Sequence, residues 1–352
     1  MNTTTRSSFR SSTGFTLIEL IIVVGIIGIL SSVLLVSFSG GTETARAAKC
    51  LSNMRNLAQA AIGYAARATD RQYPLAGSRA MITASSSASG IVYKEQRGWI
   101  SWLSKNDEYG THGGGGGSGG KGANGGGSGF VHVENVSAYS TKGDNEDATF
   151  AITNGVLWKA VNGNRDIYVC PNHHLVVTKK EKGVDVNWSY VMNAYFGYDW
   201  SDGQKATYVE GMGEGNNRVS LNATRLDRTL LFAELPFKDH DFDGSEIETS
   251  FSTSANNEND CVLQFKAGTI DGYKYQNHWS GKAESIAFNH KSGKRWCAHV
   301  AFADGHTEKL MLPTGGGLSK EDLTALLCGD DKRGGGKDIA FDGKTYSLIK
   351  SK

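Results

Sequence analysis

The sequence has very little proline and almost no excess of charge of either sign. It contains 4 Pro against 45 Gly in 352 residues, which indicates flexible surface connections in place of rigid turns. The 37 Lys and Arg residues are matched by 36 Asp and Glu residues, so the totals give no indication of a nucleic acid partner. Hydrophobic residues make up 39%, which is enough to bury the core of one large domain or two modest ones.

The sequence also lacks any C-x-x-C pair, so cysteine spacing supports neither a zinc ribbon nor a redox motif. Outside the cytoplasm, one or two disulfides are permitted, but the pairing cannot be deduced and an odd number leaves one cysteine over. His173 and His174 follow Cys170 without a second ligand group at standard spacing, which favours a surface loop over a metal site. The five cysteines are Cys50, Cys170, Cys261, Cys297 and Cys328.

The amino terminus combines a polar, acid-free segment with a long apolar one. Residues 1–14 carry two positive charges, Arg6 and Arg10, and are interpreted as a leader peptide. Residues 15–38 contain a single charge, Glu19, and their 24 residues are enough for a helix to cross the roughly 30 Å hydrocarbon core of a membrane. Because the positive flank stays cytoplasmic, we expect the rest of the chain on the far side of the membrane.

Glu19 decides between two interpretations of this segment. An ordinary signal peptide, cut near residues 37–39, would have no use for an acid within its apolar run. An unpaired carboxylate in hydrocarbon costs about 2.5 to 3.5 kcal/mol on insertion scales, so such residues are usually functional. Glu19 therefore indicates that the apolar segment has a specific function and is not only an export signal or a membrane anchor.

The string from Gly14 to Leu20, GFTLIEL, resembles the processing motif of type IV prepilins and of the pseudopilins of type II secretion. The resemblance implies that a prepilin peptidase and methyltransferase cuts between Gly14 and Phe15 and methylates the new amine of Phe15. It also implies self-assembly with other pilins or pseudopilins. In a low-dielectric environment, the positive Phe15 amine of one subunit and the negative Glu19 carboxylate of its neighbour would attract each other. This attraction would offset the free-energy cost of burying either charge alone.

Residues 39–70 have the spacing of an amphipathic helix, the expected outer half of a pilin helix. Joined to the membrane segment, this helix would run from 15 to about 68, or roughly 80 Å at 1.5 Å per residue. Gly40 and Gly41 predict a kink or a locally melted segment between the halves. The expected inward positions are Ala45, Ala48, Leu51, Met54, Leu57 or Ala58, Ala61 or Ile62, and Ala65.

The remaining chain is predicted to form a β-rich head, residues 71–312, and a C-terminal tail, residues 313–352. A Gly-rich loop at 112–129 interrupts the head and lacks the GK[ST] signature of a phosphate-binding loop. A helix from Ser319 to Leu327 and a hairpin within 338–349 are expected in the tail. The fold class is thus α+β, a long N-terminal helix packed on a mostly antiparallel sheet. The predicted strands are 129–136, 166–169, 187–192, 229–234, 261–265, 283–288 and 298–303.

Parts of the head resemble a prepilin branch, of planctomycete and verrucomicrobial type, that is named for an H-x9-DG pattern. His290 and the Asp304-Gly305 pair carry this resemblance, although thirteen residues separate His290 from Asp304 and a four-residue insertion must be assumed. The Asp304-Gly305 pair predicts a two-residue hairpin turn. Further landmarks are 168–171, 189–195 and 228–234.

One stretch supports a metal hypothesis. Asp239, Asp241 and Asp243, followed by Gly244, have the spacing that begins a calcium-binding loop, but Ser250 replaces the usual bidentate Glu at the twelfth position. Calcium is therefore a possible cofactor of this loop, the alternative being an acidic, solvated loop.

Together these features predict a structural subunit of a type IV pilus-like or type II secretion filament. It would be a single-pass inner-membrane protein with an extracytoplasmic head, and later part of a periplasmic or cell-surface filament. No catalytic motif is visible, so we expect no enzyme. One alternative is a membrane-anchored binding protein, for instance for carbohydrate, using exposed Trp99, Trp102, Trp200 and Trp279. Another is a secreted enzyme with a pocket that gathers His290, Asp304 and Glu234.

Overall fold

A computed structural model describes most of the chain from residue 15 onward. The described residues are 15–78, 82–84, 91–93, 98–101, 137–143, 146–199, 220–222, 226–249, 251, 261–263, 269–270, 273–274, 285–313, 320–328, 339–341 and 344–346, apart from some side chains, among them those of 33–40. The chain divides into two compact units, Met1–Ala45 and Arg46–Lys352.

The described part of the first unit is the beginning of helix α1, which extends over Leu17–Arg67. The helix continues through Gly40 and Gly41, which contradicts a locally melted segment there, and the alternative of a kink stays a prediction. The described side chains from 15 to 32 are all exposed. Within the described residues, no helix combines the length and the apolar character that crossing a membrane requires.

In the second unit, α1 buries one face against the core of the head. Met54, Leu57, Ala61 and Ala65 are completely buried, as their helical spacing predicts. Burial of a side chain such as Met54 or Leu57 contributes roughly 1.5 to 3 kcal/mol. At the start of this stretch the prediction was wrong, because Ala45 and Ala48 are exposed and Leu51 is only partly buried. Ala47 and Cys50 point inward in their place.

The described part of the second unit contains three more α-helices and sixteen strands, most of them short. The helices are α2 (Glu146–Asn154), α3 (Pro171–Lys180) and α4 (Lys320–Cys328). The strands are β1 (Gly77–Ser78), β2 (Ile82–Ala84), β3 (Ile91–Tyr93), β4 (Tyr139–Thr141), β5 (Val184–Val186), β6 (Tyr190–Asn193), β7 (Tyr198–Asp199), β8 (Leu230–Glu234), β9 (Val262–Leu263), β10 (Thr269–Ile270), β11 (Tyr273–Lys274), β12 (His290–Ser292), β13 (Arg295–Phe302), β14 (Thr307–Met311), β15 (Ile339–Phe341) and β16 (Lys344–Tyr346).

A six-stranded sheet forms the centre of the head, in the order β12-β13-β8-β6-β9, with β14 also paired to β13. All its pairings are antiparallel except β6 with β9. Strand β8, LLFAE, is buried along its whole length, as its continuous apolar run implies. The α+β class with an N-terminal helix is therefore confirmed, and the sheets are mixed.

Several predicted elements differ in the structure. Arg165–Ile167 is a 3-10 helix in place of a strand, because Asn164 caps it by accepting a hydrogen bond from the Asp166 backbone N–H. Residues 285–289 form no strand, although Ile286 and Phe288 are buried. Helix α4 and the β15–β16 hairpin match the predicted helix and hairpin. The Gly-rich loop and the predicted strand 129–136 lie outside the described residues.

The turn between β13 and β14 has three residues where two were predicted. The Phe302 N–H donates to the His306 carbonyl at 2.9 Å, and the Gly305 N–H donates to the Phe302 carbonyl at 2.9 Å. Gly305 has a φ of +91°, the left-handed conformation that closes a three-residue hairpin loop. The Gln59 amide lies 3.5 Å from the Gly305 carbonyl, so the turn rests against α1.

Candidate functional site

Two regions carry chemistry: the start of α1 in the first unit and a buried polar cluster in the second. At the start of α1, Thr16 and Glu19 cap the helix reciprocally. The Glu19 carboxylate accepts hydrogen bonds from the Thr16 N–H at 2.9 Å and from its hydroxyl at 2.8 Å, and the Glu19 N–H approaches the Thr16 hydroxyl at 3.4 Å. This is a capping box, which satisfies backbone donors that a helix start otherwise leaves unpaired. Gly14 lies outside the described residues.

The first part of α1, from residue 17 to 30, has large apolar side chains on every face. A globular surface helix keeps a polar face toward water, whereas a helix that is hydrophobic all round belongs in an apolar environment. Phe15 is 83% exposed, and Glu19 is the only charged residue among 15–32. The other large exposed apolar side chains here are Leu17, Ile18, Leu20, Ile21, Ile22, Val23, Val24, Ile26, Ile27, Ile29 and Leu30.

The second region is a cluster of four completely enclosed side chains from four elements, which we call the Cys–Glu–His cluster. It consists of Cys50 on α1, Glu234 at the end of β8, His290 at the start of β12 and His299 within β13. One potential ligand atom from each residue lies within 4.8 Å of those of the other three. The sheet places them together because β13 pairs with both β12 and β8, with His290 opposite Cys297 and Ala233 opposite Val300.

Glu234 is the centre of the cluster. Its Oε1 accepts a hydrogen bond from His290 Nε2 at 2.8 Å and another from the Cys50 thiol, and it lies 3.7 Å from His299 Nδ1. Burial alone would raise the pKa of Glu234, but attraction by His290 and His299 outweighs it and holds the pKa well below its ordinary value. Burial would lower the pKa of His290, yet the Glu234 carboxylate raises it to about 10. Glu234 and His290 therefore form a buried ion pair.

Some of the polar atoms in the cluster have no hydrogen-bond partner among the described residues. These atoms are Glu234 Oε2 and both ring nitrogens of His299. His299 and Glu234 are each 1% exposed, so bulk water does not reach these atoms. Leaving a buried polar atom unsatisfied costs about 1 to 3 kcal/mol, and native structures contain few such atoms.

Neighbouring groups hold the cluster in place. The Asn172 side-chain nitrogen lies 3.2 Å from His290 Nδ1, and Asn172 in turn accepts a 2.6 Å hydrogen bond from Arg46. The Nε2–H of His290 donates to Glu234, so this side of the ring is directed at the cluster. Tyr190 Oη lies 3.3 Å from Cys50 Sγ. Cys170 Sγ lies 3.8 Å from His290 Nε2.

The structure describes all the cysteines and corrects one expectation, which concerned the residues around Cys170. All five cysteines lie within the described residues, are buried and form no disulfide with one another. Burial, together with the nearby Cys170, raises the pKa of the Cys50 thiol well above its ordinary value. The predicted surface loop at 170–174 is wrong, because Pro171 begins helix α3 and His173 is buried, stacked on Phe237 with ring centroids 4.8 Å apart.

The three acids of the predicted calcium loop do not point to one place. Asp239 is buried, and its carboxylate accepts hydrogen bonds from the Phe288 N–H at 2.7 Å and from Lys320 Nζ. Asp241 and Asp243 are exposed and accept hydrogen bonds from backbone N–H groups of their own turn. Calcium binding there stays a prediction, and the inward orientation of Asp239 weighs against it.

The structure also places the residues of the two alternative functions. Trp99 is completely buried and stacks on Tyr168 with ring centroids 5.9 Å apart, so it forms no exposed sugar-binding face. Trp102, Trp200 and Trp279 lie outside the described residues. His290 and Glu234 are together, as the enzyme alternative requires, but Asp304 lies beyond the far end of β13 and pairs with His306 at 2.5 Å.

Sequence reasoning missed Cys50 and His299 as functional candidates. The four cluster residues are distributed between positions 50 and 299, so no local spacing motif connects them. The available signal was a charged or polar residue next to an apolar run that predicts a buried strand. Glu234 directly follows the run LLFA, and His299 directly precedes the run VAFA.

Comparison with known protein families finds a match at the amino terminus. Residues 9–35 match the protein family described as the prokaryotic N-terminal methylation motif. No curated protein and no solved structure matches the chain. The chain therefore carries a prepilin-type leader, which is typical of type IV pilins and pseudopilins and supports a general pilin-like role. Such a leader implies processing by a prepilin peptidase.

Proposed function

We propose that this chain is a structural subunit, not an enzyme, of a type IV pilus-like or type II secretion filament. The observation that carries the proposal is the match of residues 9–35 to the methylation motif, with Glu19 as the single charge of an apolar helix. A prepilin peptidase cuts between Gly14 and Phe15, and the amine of Phe15 is then methylated. The mature chain begins two residues before α1, with Glu19 as its fifth residue.

Residues 15–38 hold the subunit in the inner membrane before assembly, with the head outside the cytoplasm. The large apolar side chains that surround the helix between 15 and 30 support this role, because exposing them to water would be unfavourable. The same surface then packs against the helices of neighbouring subunits within the filament.

Glu19 has two partners in this mechanism, one before assembly and one after. In the single chain, the Thr16 N–H and hydroxyl satisfy its carboxylate, which lowers the cost of keeping an acid in the membrane. During assembly the methylated amine of a neighbour's Phe15 replaces those donors, and the stronger charge-assisted contact sets the axial register. A subunit without the carboxylate is processed but does not dock.

Mass spectrometry of the mature amino terminus tests the proposal, on membranes and on sheared surface or periplasmic material. We expect the wild type to begin at methylated Phe15 in both fractions. Glu19→Ala should begin at the same residue but be absent from the filament fraction. Glu43→Ala, an equivalent change on the same helix outside the apolar run, should assemble normally.

Two outcomes would contradict the proposal. A chain that keeps Met1, or that begins near Gly40, would show that no prepilin peptidase acts before Phe15. Equal amounts of Glu19→Ala and wild-type protein in the filament fraction would show that the carboxylate has no role in docking.

A further inference from the structure

We propose that the Cys–Glu–His cluster of Cys50, Glu234, His290 and His299 is a structural site for a transition-metal ion, with Zn²⁺ as the ion that fits it best. Nothing in the filament mechanism uses these residues. They are fully enclosed, they come from four separate elements, and their potential ligand atoms lie within 4.8 Å of one another.

The unpartnered atoms of the cluster are the second observation that points to an ion. Glu234 Oε2 and both nitrogens of His299 lack hydrogen-bond partners among the described residues, although both side chains are enclosed. Buried carboxylates and imidazoles in proteins are normally hydrogen-bonded or bound to metal. A cation at the centre of the cluster would use the free electron pairs of both residues at once.

The chemistry of the four ligands selects the ion. One thiolate, two imidazoles and one carboxylate form a set that Zn²⁺ accepts, whereas Ca²⁺ and Mg²⁺ prefer oxygen ligands only. Four protein ligands leave no open position, which is the pattern of a structural zinc site. At Zn–N and Zn–S bonds of about 2.0 to 2.3 Å, tetrahedral ligands lie roughly 3.4 to 3.7 Å apart. His290 Nε2 and Cys50 Sγ now donate hydrogen bonds to Glu234 Oε1. When the ion binds, it would replace the protons of these two hydrogen bonds, and the ligand atoms would move apart to the tetrahedral spacing.

The surroundings already orient the ligands. His290 Nε2 is the ring nitrogen directed at Glu234, and the Asn172 side chain lies 3.2 Å from the other nitrogen, Nδ1. Tyr190 Oη, 3.3 Å from Cys50 Sγ, is placed to donate to a thiolate. Such outer partners hold metal ligands in position, and their loss typically lowers affinity by about 10- to 100-fold.

The ion would connect the outer part of α1 to the sheet. Cys50 is the only ligand on the helix, and the other three belong to β8, β12 and β13. Because a metal binds the folded arrangement and not the unfolded chain, its binding adds directly to the stability of the head. The metal would therefore hold the helix against the sheet.

The test uses the full-length chain, purified in detergent without a histidine tag or chelator. Elemental analysis should find about one zinc ion per chain. After removal with a transition-metal chelator, the chain should take up Co²⁺ and show a sulfur-to-cobalt charge-transfer band. Cys50→Ser should lose that band, whereas Cys261→Ser and His173→Gln, which change buried residues outside the cluster, should keep it.

The melting temperature of the wild-type chain, measured with and without metal, provides a second test that does not require the cluster variants to fold. Removing the metal from the wild type should lower its melting temperature, and Zn²⁺ should restore it while Ca²⁺ should not. Wild-type protein that contains no transition metal and shows no cobalt–thiolate band would overturn the proposal. Retention of the band in folded Cys50→Ser, or a Cys50–Cys170 disulfide found by mass spectrometry, would also overturn it.

Discussion

The contact between the β13–β14 turn and α1 can be tested with one added methyl group. Gly305 has a φ of +91°, and a Cβ built on it would overlap the amide of Gln59 and lie 2.8 Å from Ile62 Cδ1. Gly305→Ala therefore combines backbone strain with a steric conflict against the helix. Gly305→Ala therefore tests whether the β13–β14 turn is in close contact with α1.

The magnitude can be divided between these two causes. An L-residue in the left-handed region costs about 1 to 2 kcal/mol, and moving the ends of the Gln59 and Ile62 side chains aside costs about 1 kcal/mol more. Gly143, with a φ of +94° and no atom within 4 Å of its added Cβ, isolates the first cost. We expect Gly143→Ala to lower the free energy of unfolding by about 1 to 2 kcal/mol and Gly305→Ala by about 2 to 3 kcal/mol.

Urea unfolding of the full-length chain in detergent, followed by tryptophan fluorescence, measures both effects. Trp99 and Trp188 are completely buried, so their emission reports on the core. Adding Gln59→Ala to Gly305→Ala removes the nearest obstructing side chain and should recover about 1 kcal/mol. Equal losses for Gly143→Ala and Gly305→Ala would refute the reasoning, because the turn would then have no close contact with the helix.

Three further changes test the interior of the head by the same assay. Burial lowers the pKa of His173 to about 3, so between roughly pH 7.5 and pH 5 the unfolded chain takes up a proton that the folded chain refuses. Between pH 7.5 and pH 5 the free energy of unfolding of the wild type should therefore fall by about 2 kcal/mol more than that of His173→Gln. If the two proteins lost the same free energy of unfolding over that range, this prediction would be contradicted. Lys320→Met leaves the Asp239 carboxylate buried without its cation, so we expect it to lower the free energy of unfolding by about 3 to 5 kcal/mol. The double change Asp239→Asn with Lys320→Met removes both charges and should lower it by less. Equal losses for the single and the double change would argue against the ion pair. Gly155→Ala places its Cβ against the Trp99 carbonyl, a backbone atom that cannot turn aside, so we expect a loss of at least about 3 kcal/mol, and a loss under 1 kcal/mol would contradict that packing.

The features that the sequence predicted correctly depend on neighbours in the chain. The processing motif from Gly14 to Leu20 is one continuous string, and the match at residues 9–35 confirms a prepilin-type leader there. The strand LLFAE, helix α4 and the β15–β16 hairpin follow from apolar runs, capping residues and an Asp-Gly pair. Each of these signals lies within about ten residues, the range over which backbone preference and side-chain period act.

Other features depended on contacts that no local pattern contains. The face that α1 buries was predicted correctly at Met54 but wrongly at Ala48, because the sheet and the loops around it decide which of several small residues point inward. Asp239 has the spacing of a calcium ligand, yet Lys320 on α4 draws its carboxylate into the core.

The Cys–Glu–His cluster shows this difference most clearly. Cys50 comes from a helix and Glu234, His290 and His299 from three strands, so only the pairing of β13 with β12 and β8 brings their side chains together. A sequence pattern can predict that each strand is buried, but it cannot predict which buried polar groups will meet. The sequence alone therefore determined how the chain begins, with its leader and apolar helix, and the tertiary structure decided what lies at the centre of the head.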